Sequence, residues 1–176
     1  AGEGWSFTTT GGGGGVKGEY FNNMTVAGTP VLTRIDPAID FSWADPAGPG
    51  APLGQDSFSA RWTADLEIAI ADAYTFITTS DDGVRLWLGD DLIVDSWVDQ
   101  GATDHASKVQ TLEPGIYPLR MEYYENTGGA VAQLSWQTPF MARQVIPAGP
   151  LQPPVRARAV YPKNGDANVP QDVTLM

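Results

Sequence analysis

Asp81 and Asp82 stand side by side in "TTSDDGVRLWLGDDLIVDSW", and adjacent carboxylates suggest either acid–base catalysis or a metal. Glycoside hydrolysis needs two carboxyls about 5–10 Å apart, facing each other across the scissile bond. Neighbours in an extended trans strand point to opposite faces, and at a turn they converge too closely for a sugar to lie between them. A metal fits these residue types better. Ca²⁺ takes about six to eight oxygens from carboxylates, carbonyls, amides and water, and a cis peptide between the aspartates would turn both toward one ion. The segment "YYENTGGA" can complete such a shell through the Asn126 amide oxygen and the carbonyls of Gly128 and Gly129. The competing reading is that Asp-Asp-Gly and Asn-Thr-Gly-Gly are turns with no ion. Asp90-Asp91 reads as a hairpin turn. Trp97, two residues after Asp95 at a strand end, falls either in the core or on the rim, where an indole can stack on a sugar face.

Other catalytic constellations are missing from the sequence. His105 is the single histidine and lies in the polar stretch "DQGATDHASK", where a solvated ring is expected. There is no Gly-x-Ser-x-Gly elbow, and the absence of cysteine removes thiolate chemistry and disulfides. Gly11 to Gly15 is not followed by Gly-Lys-Ser/Thr and leads into a strand, so it reads as a tether with nothing to pack. The expected answer to whether this chain is an enzyme is no.

The elements that must position these residues are strands. In "SFSARWTADLEI" Phe58, Ala60 and Trp62 share one face, and in "YTFITTS" Tyr74 and Phe76 do so. "VRLWLGDDLIVDSW" is two strands around Gly89-Asp90-Asp91. Tyr117, Leu119, Met121 and Tyr123 line one face of the next, and Ala132, Leu134 and Trp136 line one face of another. Period two with frequent turns predicts an all-β fold, an antiparallel β-sandwich or barrel-like domain with long loops and little helix. Trp43, Trp62, Trp87 and Trp136 are expected in its core. The X-Pro-rich stretch containing Asp36-Pro37, Asp45-Pro46, Pro49 and Pro52 is expected to be irregular.

Three parts follow along the chain. Residues 1–15 read as the end of a preceding module, with Trp5 and Phe7 alternating in a strand, followed by the glycine linker. Residues 16–151 form the β domain. Residues 152–176 are a Pro-rich linker and the truncated start of a following β-sandwich module. A net charge of -11 repels phosphate backbones, so nucleic acid is not expected as a partner, and it favours a monomer. No apolar run reaches the roughly 20 residues of a membrane helix, so membrane insertion is not expected.

The segments "VKGEYFNN", "RIDPAIDFSW", "FSARWTADL", "YTFITTSDDGVRLWLGDDLIVDSW", "LEPGIYPLRMEYYENTGGAVAQLSW" and "QVIPAGPL" occur in that order. Together they resemble the protective-antigen-14 domain family over about Val16 to Leu151. The resemblance implies a β-sandwich or barrel-like fold found as a module in bacterial glycosidases, adhesins and toxins. In the adhesin branch it implies that the Asp-Asp pair, joined by a cis peptide, holds a Ca²⁺ that takes vicinal hydroxyls of a sugar. By position, Asp81 and Asp82 would be that pair, and Asn126 with the Gly128 and Gly129 carbonyls the completing loop. Asp81, Asp82, Asn126 and Trp97 would then meet the sugar. Where the family often has Gly after "RWT", this chain has Ala64. The expectation is a non-catalytic, calcium-dependent carbohydrate-binding module, lectin- or adhesin-like, of a secreted or surface multidomain bacterial protein. The alternative is a structural spacer, or an accessory domain of a polysaccharide-degrading enzyme, with no sugar binding of its own.

Overall fold

Alternating apolar and polar residues build thirteen strands in a computed structural model that describes residues 14–43 and 48–154. One antiparallel sheet contains β1 (Val16–Phe21), β2 (Leu32–Asp36), β4 (Phe58–Ile68), β6 (Gly83–Leu88), β7 (Asp91–Ser96), β10 (Gly115–Glu125) and β13 (Leu151–Gln152). Its order is β2-β1-β4-β10-β6-β7, with β13 beside β4. The second contains β3 (Asp40–Trp43), β5 (Asp72–Asp81), β8 (Thr103–Ala106), β9 (Gln110–Leu112), β11 (Ala130–Thr138) and β12 (Met141–Val145). Its order is β12-β11-β5-β8, with β3 also on β11 and β9 also on β5. No helix occurs among the described residues, and the domain is an all-β sandwich.

The core is what the period-two faces bury against each other. Tyr20, Phe58, Trp62, Leu86, Met121 and Tyr123 from the first sheet meet Phe76, Ala132, Leu134 and Trp136 from the second. Phe41 stacks on Trp43 at 4.8 Å and on Trp62 at 5.5 Å, so the short strand β3 closes one flank with aromatic surface. One charge lies inside this region. Asp36 accepts from the Tyr20 hydroxyl at 2.6 Å, Trp62 Nε1 at 3.0 Å and Arg34 Nε at 2.6 Å, so its burial is fully compensated.

Several expectations need correction. The Pro-rich stretch is not wholly irregular: β2 and β3 form there, because a residue before proline is barred from helix but not from an extended edge strand. The polar stretch holding His105 contains β8, and the histidine is half-buried with Nε2 3.1 Å from Gln100 Oε1. Trp87 is not a core residue. It alternates with buried Leu86 and Leu88 and lies on the outer face, with the Arg120 guanidinium 3.9 Å from its ring centre. The tether is not free of packing at its end: Gly15 N–H donates to Leu151 O at 2.8 Å, and a Cβ on Gly14 would run into the Ala148 carbonyl. The expected strand with Trp5 and Phe7, and the following module from residue 155 onward, lie outside the described residues.

Candidate functional site

Three connections cross from one sheet to the other at the same pole of the sandwich. The segment Asp81-Asp82-Gly83 passes from β5 to β6, the residues after Ser96 pass from β7 to β8, and the residues after Glu125 pass from β10 to β11. Pairing holds these crossings together: Asp81 faces Val131, Gly83 faces Tyr124, Val84 faces Ser96, and Ser80 faces Thr103. The Asp81–Asp82 peptide is cis.

The carboxylates of Asp81, Asp82 and Glu125 converge here, each offering an oxygen within 4.8 Å of the others. Asp82 is 5% exposed, and both its oxygens take backbone N–H groups, Oδ1 from Gln100 at 2.9 Å and Oδ2 from Asn126 at 2.9 Å. Asp82 thus ties two of the crossing loops together. Gln100 also donates its side-chain amide to Ser80 Oγ and to the Asp82 carbonyl. The Tyr123 hydroxyl, with one proton to give, sits 2.5 Å from the Asp81 carbonyl and 2.9 Å from Glu125 Oε2.

Glu125 is the unusual member. It has no exposed surface, and its Oε1 has no hydrogen-bond partner. Burial pushes its carboxyl up to about 7, with Asp82, Asp81 and Asp56 adding repulsion that the Tyr123 hydrogen bond only partly offsets. Asp81 is also raised, first by burial and then by the charge of Asp82, against a backbone hydrogen bond from Ala102. A partnerless, fully buried carboxylate oxygen beside two further carboxylates is the arrangement a cation relieves. The oxygen-only donor set suits a hard ion such as Ca²⁺ rather than a soft one. Asp81, Asp82 and Glu125 would hold it, and the ion would act as an electrophilic anchor for neutral oxygen ligands.

The other expected residues divide. Asn126 is brought to the site, but its Nδ2 donates to Asp99 Oδ2 at 3.0 Å, and its backbone N–H serves Asp82. Gly129 lies against Asp81, where an added Cβ would stand 3.0 Å from Oδ2. The Gly128 carbonyl accepts from Gln55 Nε2 at 3.3 Å, and its N–H donates to Asp56 Oδ1. Trp97 is half-buried, with the Tyr124 ring at 4.8 Å and the Arg85 guanidinium 4.7 Å from its ring centre. It reaches the site through Tyr124, whose hydroxyl donates to Asp99 Oδ1 at 2.7 Å.

Sequence reasoning gave Glu125, Asp99 and Gln100 no individual role, pointing only to the loops Asp99 to Lys108 and Glu125 to Ala130 as the surroundings of the metal on which sugar specificity would rest. For Glu125 a signal existed. The inward series Tyr117, Leu119, Met121, Tyr123 lands on Glu125 at its next step, an acid on a core face. For Asp99 and Gln100 no local signal exists, because their roles arise only when the loop after β7 folds over Asp82.

The family model described as "PA14 domain" matches residues 12–149. The anti-sigma-I factor RsgI3 of Acetivibrio thermocellus is 39% identical over 141 residues, covering 80% of this chain and 22% of that protein. A solved structure of an anti-sigma factor domain-containing protein superposes with a TM-score of 0.78 at 38% identity, covering 84% of this chain and 50% of the other. A structure described as a PA14 sugar-binding domain from an RTX adhesin gives a TM-score of 0.69 at 18% identity, covering 80% of this chain and 99% of the other, a likeness of fold. The chain therefore spans about a fifth of the length of that curated relative and half of the longer solved structure.

Proposed function

Since this chain belongs to the PA14 domain family, we propose that it is a non-catalytic, calcium-dependent carbohydrate-binding module of a larger secreted or surface protein. The observation that carries this reading is the convergence of Asp81, Asp82 and Glu125 with the partnerless Glu125 Oε1. In this reading the three carboxylates anchor one Ca²⁺, with Asn126 and the Gly128 and Gly129 carbonyls at the edge of its shell. Two vicinal hydroxyls of a sugar replace waters on the open side. Asp99, exposed at the rim, would accept from a further hydroxyl through the lone pairs that Tyr124 and Asn126 leave free.

The chemistry argues for binding rather than turnover. The carboxylates converge within 4.8 Å on one point rather than facing each other across a gap, Asp82 holds two loop N–H groups, and Glu125 accepts from a tyrosine hydroxyl. A ligand held through two hydroxyls buries little area, so one site binds weakly, on the order of mM. Repetition of modules would raise this to useful avidity. The relatives named as anti-sigma factors favour one setting for such a module, a ligand-binding part of a longer protein whose output lies elsewhere in that chain.

A glycan array probed in Ca²⁺ and again in EDTA tests the reading, together with the double variant Asp81→Ala, Asp82→Ala. Binding to a set of sugars with vicinal hydroxyls is expected in Ca²⁺, lost both in EDTA and in the variant. If no sugar binds in Ca²⁺, or if the double variant binds those sugars as well as the parent, the proposal fails.

A further inference from the structure

We propose a second saccharide site, independent of calcium, on the outer face of the seven-stranded sheet. Alternation puts Thr63 and Asp65 of β4, Pro118 and Arg120 of β10, and Trp87 of β6 on the face opposite the core. Register aligns them, with Arg120 paired to Trp87 on one side and to Thr63 on the other, and Pro118 paired to Asp65. These residues, with Asp90 from the β6–β7 turn, line an open trough of about 310 Å³. That is the lower end of the volume range of small-molecule sites.

The charged groups around the trough form no ion pairs among the described residues. Among the described residues Arg34, Arg61, Arg85 and Arg143 each pair with a carboxylate, and Arg120 does not. Its guanidinium lies on the Trp87 ring at 3.9 Å, which fixes its plane, and among the described residues no carboxylate pairs with its N–H edges. Asp65 is half-buried beside it and makes no ion pair with it. A neutral sugar matches this set. Its hydroxyls donate to Asp65 and Asp90 and accept from Arg120, and its C–H surface meets the exposed part of the indole and Pro118. Two carboxylates against one guanidinium disfavour an acidic sugar.

This site is separate from the carboxylate cluster. Trp87 lies four residues along β6 from Gly83, roughly 13 Å at strand rise, and on the sheet face rather than at its pole. It therefore stands or falls independently of the calcium reading. The test is an array of neutral oligosaccharides probed in EDTA with the full chain and with Trp87→Ala, Arg120→Ala and Asp65→Ala. The parent should retain at least one neutral glycan in EDTA. Each single variant should weaken it by about tenfold or more. Asp65→Ala and Arg120→Ala leave the core untouched, so they decide the matter even if Trp87→Ala fails to fold. The proposal is overturned if no neutral glycan is held in EDTA, or if the glycan held is bound equally by Arg120→Ala and Asp65→Ala.

Discussion

Glu125 places a carboxyl where there is no solvent to stabilise its charge, and that has a consequence for pH. Its folded-state value of about 7 lies above the ordinary value of 4.5 because of burial, then because of the neighbouring aspartates. Between those two values the native chain holds a proton that the unfolded chain has released. Stability in the absence of metal must therefore fall as pH rises from about 4.5 to 7, and level off above that. The raised Asp81 acts in the same direction. Glu125→Gln keeps the shape and removes the ionisation. Metal-free melting curves should then lose most of their decline across this window, and the variant should melt higher than the parent at pH 8. In the proposed reading it should also bind Ca²⁺ at least about tenfold more weakly, one charged ligand having become neutral. Equal Ca²⁺ affinity by calorimetry would remove Glu125 from the metal shell.

At the scale of elements, the site exists because three sheet-to-sheet crossings end at one pole and are stitched by Asp82. In the seven-stranded sheet β1 lies between β2 and β4, beside the buried Asp36 network. Gly18 leaves room for that network: a Cβ there would collide with the Asp36 carboxylate and stand 2.9 Å from the Tyr20 ring. Since Asp36 already receives three donors, it has no room to yield. Gly18→Ala should cost about 1–3 kcal/mol, as overpacked cores do, read as a lower urea midpoint with unchanged slope. A midpoint equal to that of the parent would mean that the network shifts without strain.

Across the whole molecule the net charge of -11 and the clustering of Asp81, Asp82 and Glu125, with Asp56 and Asp99 nearby, point the same way. Binding a divalent cation relieves repulsion both at the pole and globally. Ca²⁺ present at a hundred times its dissociation constant would add about 2.7 kcal/mol, which for a domain of this size raises Tm by roughly 5–10 °C. Scanning calorimetry in Ca²⁺ against EDTA measures this, and identical curves would rule out the ion.

Alternation by itself determined the fold class, because a sandwich buries every second residue and that pattern survives in any one strand. It also gave the β6–β7 hairpin, where Gly89 takes a positive φ that the turn requires. Asp81 and Asp82 were legible as a pair because they are adjacent, and the six ordered motifs tied them to a family. Alternation could not say which residues elsewhere would join them. Glu125 lies 43 positions beyond Asp82, and Asp99 and Gln100 sit in a loop whose path is set by hydrogen bonds to Asp82. Likewise the outward turn of Trp87 and its pairing with Arg120 depend on which face of β6 meets the core, and hence on strand register. A sequence states which groups can bind oxygen or a cation. Only the packing of one sheet on the other decides which of them meet, because the crossings that bring them together span dozens of residues.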